Sequence, residues 1–275
     1  VAEHEFILLV TLHHIISDVW STGILVGEMV TLYRAFIQAK PAPLPPLPIQ
    51  YADFTLWQRQ WLQGEKLQKQ IRYWQHQFAT LPSVLQLPTD RPRPAVQSFC
   101  GDRKTFSLSS ELTQGLKDLG QKTDATLFMT VLAAFKVLLY RYTGQTDITI
   151  GSPIANRNQA AIEGLIGLFM NTLALRTQLD GNPSFRELLI RVREVALGAY
   201  SHQDLPFEKL IDLLSLPRDL SHTPLFQVMV VLQNAPSASL DLPGLTLSLL
   251  DLPNNTSKFD LTLILAEVDD CLQGV

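Results

Sequence analysis

The feature that most constrains this chain is an apolar run that ends on two histidines. Residues 5–12 read Glu-Phe-Ile-Leu-Leu-Val-Thr-Leu, and His13-His14-Ile15-Ile16-Ser17-Asp18 follows. An apolar run of that length with β-branched content suits a buried strand. Side chains along a strand alternate between faces. Phe6, Leu8, Val10, Leu12 and His14 are therefore expected on one face, and Ile7, Leu9, Thr11 and His13 on the other. The two imidazoles then point in opposite directions, and at most one serves a given cleft. An imidazole titrating at about 6.5 accepts a proton at neutral pH. Asp18, four residues on, can orient it or hold the turn through an arginine. His-x-x-x-Asp also offers two metal ligands from one turn. His4, His76, His202 and His222 stand in unrelated contexts, however, and supply no third or fourth ligand. On these residues alone three readings stay open: catalytic histidines, structural histidines and, last, a metal site.

Composition narrows the classes. The 275 residues are 46% hydrophobic and 17% charged, enough for a sizeable core in one large domain or two ordinary ones. A net charge of -4 offers no positive field for nucleic acid or an anionic membrane surface. The two cysteines, Cys100 and Cys271, lack paired spacing and read as ordinary thiols in a reducing cytoplasm. The start, with Glu3 and Glu5, does not read as a signal peptide, and no uncharged apolar stretch reaches the roughly 18 residues of a membrane span. The opening on Val1 and the strand-pair pattern of residues 266–275 suggest an internal piece of a longer protein.

Along the chain, Ser21 or Thr22 is expected to cap a helix whose stripe is Leu25, Met29, Leu32, Tyr33 and Phe36. Pro41, Pro43, Pro45, Pro46 and Pro48 end it in an extended connector. Polar-aromatic helices are expected around residues 51–62 and 66–78. A second proline-rich break over residues 88–103 reads as a boundary between two lobes. Beyond it, Phe128, Val131, Leu132, Phe135, Leu138, Leu139 and Tyr142 keep helical spacing, and Gly144 can stop the helix. Strands are expected at 147–152, within 164–179, at 226–233 and at 259–267, and a helix at 185–200 with Leu188, Leu189, Val192 and Val195 inward. The sum is a mixed α/β pattern, helices covering sheets.

Five stretches then point in one direction. His13-His14-Ile15-Ile16-Ser17-Asp18-Val19 resembles the HHxxxDG motif of condensation domains in nonribosomal peptide synthetases. Tyr51-Ala52-Asp53-Phe54-Thr55-Leu56-Trp57 resembles the family's YxDFxxW. Ile166-Gly167-Leu168-Phe169-Met170-Asn171-Thr172 resembles IGxFVNT, followed by Arg176. His202-Gln203-Asp204-Leu205-Pro206-Phe207-Glu208 matches HQDxPFE, and Arg218-Asp219-Leu220-Ser221 resembles RDxS. Five motifs in order over residues 13–221 are far more specific than a lone HxxxD.

The resemblance implies an α/β fold of two chloramphenicol-acetyltransferase-like lobes in a V, with mixed sheets covered by helices and a tunnel between the lobes. Residues 1–90 would be the back part of an incomplete N-terminal lobe, 91–104 the inter-lobe linker, and 105–275 a C-terminal lobe truncated at its end. It implies amide bond formation between an upstream carrier-bound acyl or peptidyl thioester and the amine of a downstream aminoacyl thioester. His14 would be catalytic, with His13 and Asp18 supporting it. Arg157 is a candidate partner for Asp18. Val19, Ser21, Arg157 and Asn171 are tunnel or structural candidates, Asn171 either donating to substrate or bonding neighbouring backbone. Tyr51 and Trp57 are expected in the core, and Asp204 with Pro206 suits a helix start. No metal and no cofactor of its own are implied; substrates ride on the 4'-phosphopantetheine of partner carriers. Upstream and downstream peptidyl carrier domains and an adenylation domain are the implied partners, with no nucleic acid and no membrane, in the cytoplasm. The chain departs from the family at Val19, where glycine is usual, and at His222-Thr223, where Arg-Asn is usual. Alternatives are an epimerisation-type relative, a catalytically impaired platform for carrier binding, and a free-standing acyltransferase using coenzyme A.

Overall fold

The computed structural model describes residues 5–216, 219–233, 242–246, 248, 250 and 255–275. His4 and Arg218, the latter opening the RDxS-like stretch, lie outside the described residues. The chain divides into two compact units: Val1–Trp61 with Ala155–Met170 and Ala235–Leu250, and Leu62–Ile154 with Asn171–Asn234 and Asp251–Val275.

The first unit is helical. Helix α1, Val19–Ile37, starts at Asp18, whose carboxylate accepts the backbone N–H of Ser21 at 2.8 Å. The expected cap at Ser21 or Thr22 is thus displaced by a residue that offers a stronger, charged acceptor to the free N–H groups of the first turn. The expected apolar stripe is also corrected. Met29, Leu32 and Phe36 are exposed, Phe36 by 84%, and the helix buries Ser21, Val30 and Ala35 instead. Helix α2, Tyr51–Trp61, follows the proline connector, which carries no regular structure over residues 41–47. Its Phe54 packs with Ile162, Leu165 and Phe169 into a small core flanked by Tyr51. The short helix within this unit, Ala160–Glu163, supplies Ile162; it is labelled α6 in chain order.

Residues 5–13 form no strand. A strand is held by its ladder to a neighbour, and among the described residues none pairs with this run. Phe6 is 81% exposed, and Ile7, Leu8, Leu9, Val10 and Leu12 are exposed with it. The run has the composition of a buried strand, but the expected burial is absent.

The second unit carries the sheet. In chain order its elements are α3 (Gly64–Gln77), β1 (Phe106–Leu108), α4 (Ser110–Gln121), α5 (Leu127–Thr143), β2 (Asp147–Ile154), β3 (Asn171–Gln178), α7 (Phe185–Ser201), α8 (Phe207–Leu214), β4 (Val228–Gln233), β5 (Leu261–Val268) and β6 (Cys271–Gly274). The six strands run β1-β6-β5-β4-β2-β3, with parallel β2–β4 and β4–β5 pairs and antiparallel pairs elsewhere. Helix α5 starts on a Thr126 cap and stops at Gly144, whose φ of 70° suits a residue without a Cβ. Helix α7 starts on a Ser184–Glu187 capping box. Leu132, Leu139, Leu188, Leu189 and Val192 from α5 and α7 meet Ile148, Ile150, Leu173 and Leu175 from β2 and β3 in the main core.

Residues 62–90, read from sequence with the first lobe, pack in this second unit: Trp74 and Phe78 belong to its main core, and the Trp74 indole donates to the carbonyl of His202 at 2.8 Å. The 91–104 stretch carries no helix or strand, only an isolated bridge from Cys100 to Thr256. It is pinned to the same unit by an Arg93–Asp260 ion pair and by backbone bonds from Gln97 to Leu220 and from Gly101 to Asn255.

Candidate functional site

The site is built on the turn between residue 13 and helix α1. The backbone N–H groups of Ile16 and Ser17 donate to the carbonyls of His13 and His14. Because this is a turn, the alternating-face argument for the two imidazoles does not apply. Hydrogen bonding separates them instead. His14 Nδ1 lies 2.6 Å from the carbonyl oxygen of Ser17. A carbonyl only accepts, so Nδ1 carries the proton and Nε2 is left with a lone pair. His13 Nδ1 lies 3.0 Å from the backbone nitrogen of Ile15, which only donates. In its neutral form His13 is therefore protonated on Nε2. The adjacent histidines present opposite faces of the same chemistry: His14 an acceptor, His13 a donor. Both side chains are exposed.

Asp18 anchors the turn from behind. It is buried, and besides capping α1 its carboxylate accepts the N–H of Phe169 at 3.0 Å and the guanidinium of Arg157 at 3.3 Å. Burial raises the Asp18 pKa, but the N–H groups of Ser21 and Phe169, the Ser21 hydroxyl and the Arg157 charge outweigh it, and the group stays below the usual carboxylate range. Burial likewise pulls Arg157 down, against the opposing pull of Asp18; a guanidinium remains cationic regardless.

Arg157 also donates to the carbonyls of Ile162 at 2.6 Å and Leu165 at 2.8 Å, and its guanidinium carbon sits 4.1 Å from the Phe169 ring centroid. Ser21, fully buried, accepts from Arg157 at 2.8 Å and from the N–H of Gly167 at 3.0 Å and donates to the Gly167 carbonyl at 2.8 Å. Gly167 is needed where it stands, because a Cβ there would come within 2.2 Å of the Tyr51 ring. Tyr51 in turn donates its hydroxyl to the Leu168 carbonyl at 2.8 Å. The HHxxxD, YxDFxxW and IGxFVNT stretches, up to 117–151 residues apart, thus meet in one bonded assembly.

The remaining candidates fall elsewhere. Asn171 is fully engaged within the second unit: its amide nitrogen donates to the carbonyls of Gln203 and Leu205, and its oxygen accepts from Phe207 and Thr172. It has no donor left for a substrate, and it fixes the HQDxPFE-like loop ahead of α8. Asp204 does not cap that helix; it accepts from Gln70 at 3.1 Å, while Pro206 sits at the N-cap. Trp57, expected in the core, is 38% exposed and stacks on Trp61. Val19 opens α1 with a helical, unstrained φ and is 68% exposed, so neither turn strain nor core packing describes it. The saturation of Asn171 and the hub role of Ser21 were not readable from sequence, since both depend on backbone groups more than 30 residues away.

The chain matches the Condensation domain family over residues 1–274. It belongs to that family. Among curated relatives, a linear gramicidin synthase polypeptide of Brevibacillus parabrevis is 53% identical over 98% of this chain. The chain spans only 5% of that polypeptide's length. Among solved structures, the X-domain from teicoplanin biosynthesis superposes with a TM-score of 0.84 at 30% identity, over 96% of this chain and 61% of that one. The first condensation domain of the calcium-dependent antibiotic synthetase, crystallised with a substrate analogue, gives 0.73 at 20% identity, over 96% and 56%, and shares the fold. The condensation-domain fold these structures share is of the chloramphenicol-acetyltransferase type, and the mixed, helix-covered sheet of this chain is consistent with it. Among the described residues no helix is long and apolar enough to cross a membrane.

Proposed function

We propose that this condensation domain forms a peptide bond between two carrier-bound thioesters, with His14 as the group that receives the proton. The amine of the downstream aminoacyl group attacks the upstream thioester carbonyl. A C–N bond forms, the C–S bond breaks, and the amine's proton passes through His14 Nε2 toward the departing thiolate. An α-amino group has a pKa of about 8, so a useful fraction is neutral near pH 7. The demand on His14 is then to orient the amine and to take the proton late, as the tetrahedral intermediate forms. The observation that carries this reading is the His14 Nδ1–Ser17 carbonyl bond, which leaves Nε2 as the free acceptor.

His13 and Asp18 hold that imidazole in place, and Ser21 and Arg157 hold Asp18. The substrates are carried on 4'-phosphopantetheine arms of upstream and downstream carrier domains, with an adenylation domain nearby and the cytoplasm as the setting; membership of a family found in synthetases supports this. We retain a division into two lobes as part of the proposal, with residues 62–104 counted with the second unit, in which they pack. In this proposal Val19 borders the phosphopantetheine path, and its isopropyl group trims the space a glycine leaves open.

The test is to load donor and acceptor carriers with the domain in its synthetase and follow the dipeptidyl thioester by intact-protein mass. Product that falls by at least about 100-fold in His14→Ala supports the reading. Inversion of the acceptor α-carbon without coupling points to an epimerisation-type relative, and carrier binding with neither reaction points to a platform; either outcome overturns it.

A further inference from the structure

A groove of about 470 Å³ runs along the outermost strand of the sheet, β3, between α3 and α7. Its size falls in the range that takes small molecules. Thr177 lines it from β3 and is only 3% exposed, yet its hydroxyl has no partner among the described residues. A buried hydroxyl left unsatisfied destabilises the fold, and a ligand that gave it a partner would relieve that cost. Tyr73 lines it from α3, and its hydroxyl too bonds no group among the described residues. Burial pushes that phenol up to about 12, so it stays a donor. Gly198 of α7 makes room for it, since a Cβ there would stand 2.6 Å from the phenol oxygen.

Helix α7 brings one charge of each sign. Arg191 spends one guanidinium nitrogen on the carbonyls of Gln178 and Asp180, and its other N–H groups remain. Glu194, three residues on and on the same helical face, makes no ion pair or hydrogen bond among the described residues. Arg176, also in the lining, is already consumed by Asp147 and by the carbonyls of Gln77 and Thr80. The groove therefore presents two hydroxyl donors and a cation beside a single free carboxylate, with the Tyr73 ring and Val195 as apolar wall. An anion alone would meet Glu194 unfavourably. A small molecule bearing both charges would meet each with its complement.

We propose that this groove binds a free α-amino acid as its zwitterion, the carboxylate on Thr177, Tyr73 and Arg191 and the ammonium on Glu194. The site is independent of His14. The test follows the unfolding midpoint of the chain against L-leucine, L-phenylalanine, acetate, inorganic phosphate and a simple alkylamine. A ligand that binds only the folded state raises the midpoint with saturation. The expected result is a saturable rise with the amino acids alone, weakened about tenfold or more in Arg191→Gln and in Glu194→Gln. Thr177→Val should weaken it as well while leaving the ligand-free midpoint unchanged or higher, since a methyl replaces an unsatisfied hydroxyl. No saturable rise with any probe overturns the proposal. So does an equal response to acetate or phosphate, or an amino-acid response that survives both Arg191→Gln and Glu194→Gln.

Discussion

At the scale of single residues, two neighbouring imidazoles of identical chemistry are made different by what each ring nitrogen meets. The Ser17 carbonyl accepts a hydrogen bond from the His14 Nδ1–H, and the Ile15 N–H occupies the His13 Nδ1 lone pair. Glutamine can reproduce a donor or an acceptor but cannot carry a proton. His14→Gln is therefore expected to lower kcat with little change in KM, whereas His13→Gln should act mainly through the stability of the turn; steady-state kinetics with both variants separates the two. Behind them, Asp18 and Arg157 are a buried ion pair with side-chain exposures of 4% and 2%. Removing one member strands the other, at a cost of about 3–5 kcal/mol. Asp18→Ala and Arg157→Ala should each destabilise by that order, and the double variant by less than the sum, in denaturant unfolding. The Asp18 pKa is lowered in the folded state. Its stabilisation is thus present above the unfolded carboxylate pKa of about 3.9 and is lost as pH falls through the lower folded value.

At the scale of elements, the sequence was most readable where a helix or strand is specified by its own residues. Helix α5, its Gly144 stop and the inward Leu188, Leu189 and Val192 of α7 stand where periodicity puts them, although Leu138 and Tyr142 of the α5 pattern are exposed. It was least readable where partners decide. Residues 5–13 carry strand composition without a ladder, and α1 takes its start from Asp18 because that carboxylate is drawn into place by Phe169 and Arg157 as well as by the helix. The three-residue β1 falls below the length at which periodicity speaks, whereas β6 and the start of α8 are signalled by the strand-pair pattern of residues 266–275 and by Pro206. Lys136 is a further case. It lies on the apolar α5 stripe, fully buried, donating to the carbonyls of Ile148 and Leu175 at 2.8 Å each. Burial pulls its pKa down to about 7, against a smaller upward pull from Asp147. Between that value and the unfolded pKa of about 10.4 the unfolded chain binds a proton that the native one does not, so stability rises with pH across this window. Lys136→Met should raise the unfolding midpoint at pH 7 and below, and the gain should shrink as pH approaches the unfolded value. The Gly167–Tyr51 contact makes the opposite prediction: Gly167→Ala should cost about 1–3 kcal/mol, because the ring it displaces is held by its own hydroxyl bond to Leu168.

At the scale of the whole chain, five motifs spread over residues 13–221 are legible as a set in the sequence alone, and the family match over residues 1–274 bears out that reading. The reason for three of them is now physical. Asp18, Ser21, Tyr51, Arg157 and the 166–169 backbone are distant in sequence but close one hydrogen-bonded circuit whose product is a fixed His14 turn. Sequence could name the members; only the folded chain shows that Asn171 belongs to a different circuit, around residues 203–207. With the turn so fixed, the Nδ1–Ser17 carbonyl bond leaves His14 Nε2 as a bare acceptor. Nitrogen-15 NMR of the imidazole rings, recorded at alkaline pH, reads that state directly. A protonated Nδ1 and an unprotonated Nε2 are expected for His14, with the reverse for His13. A His14 ring protonated on Nε2 would contradict that assignment.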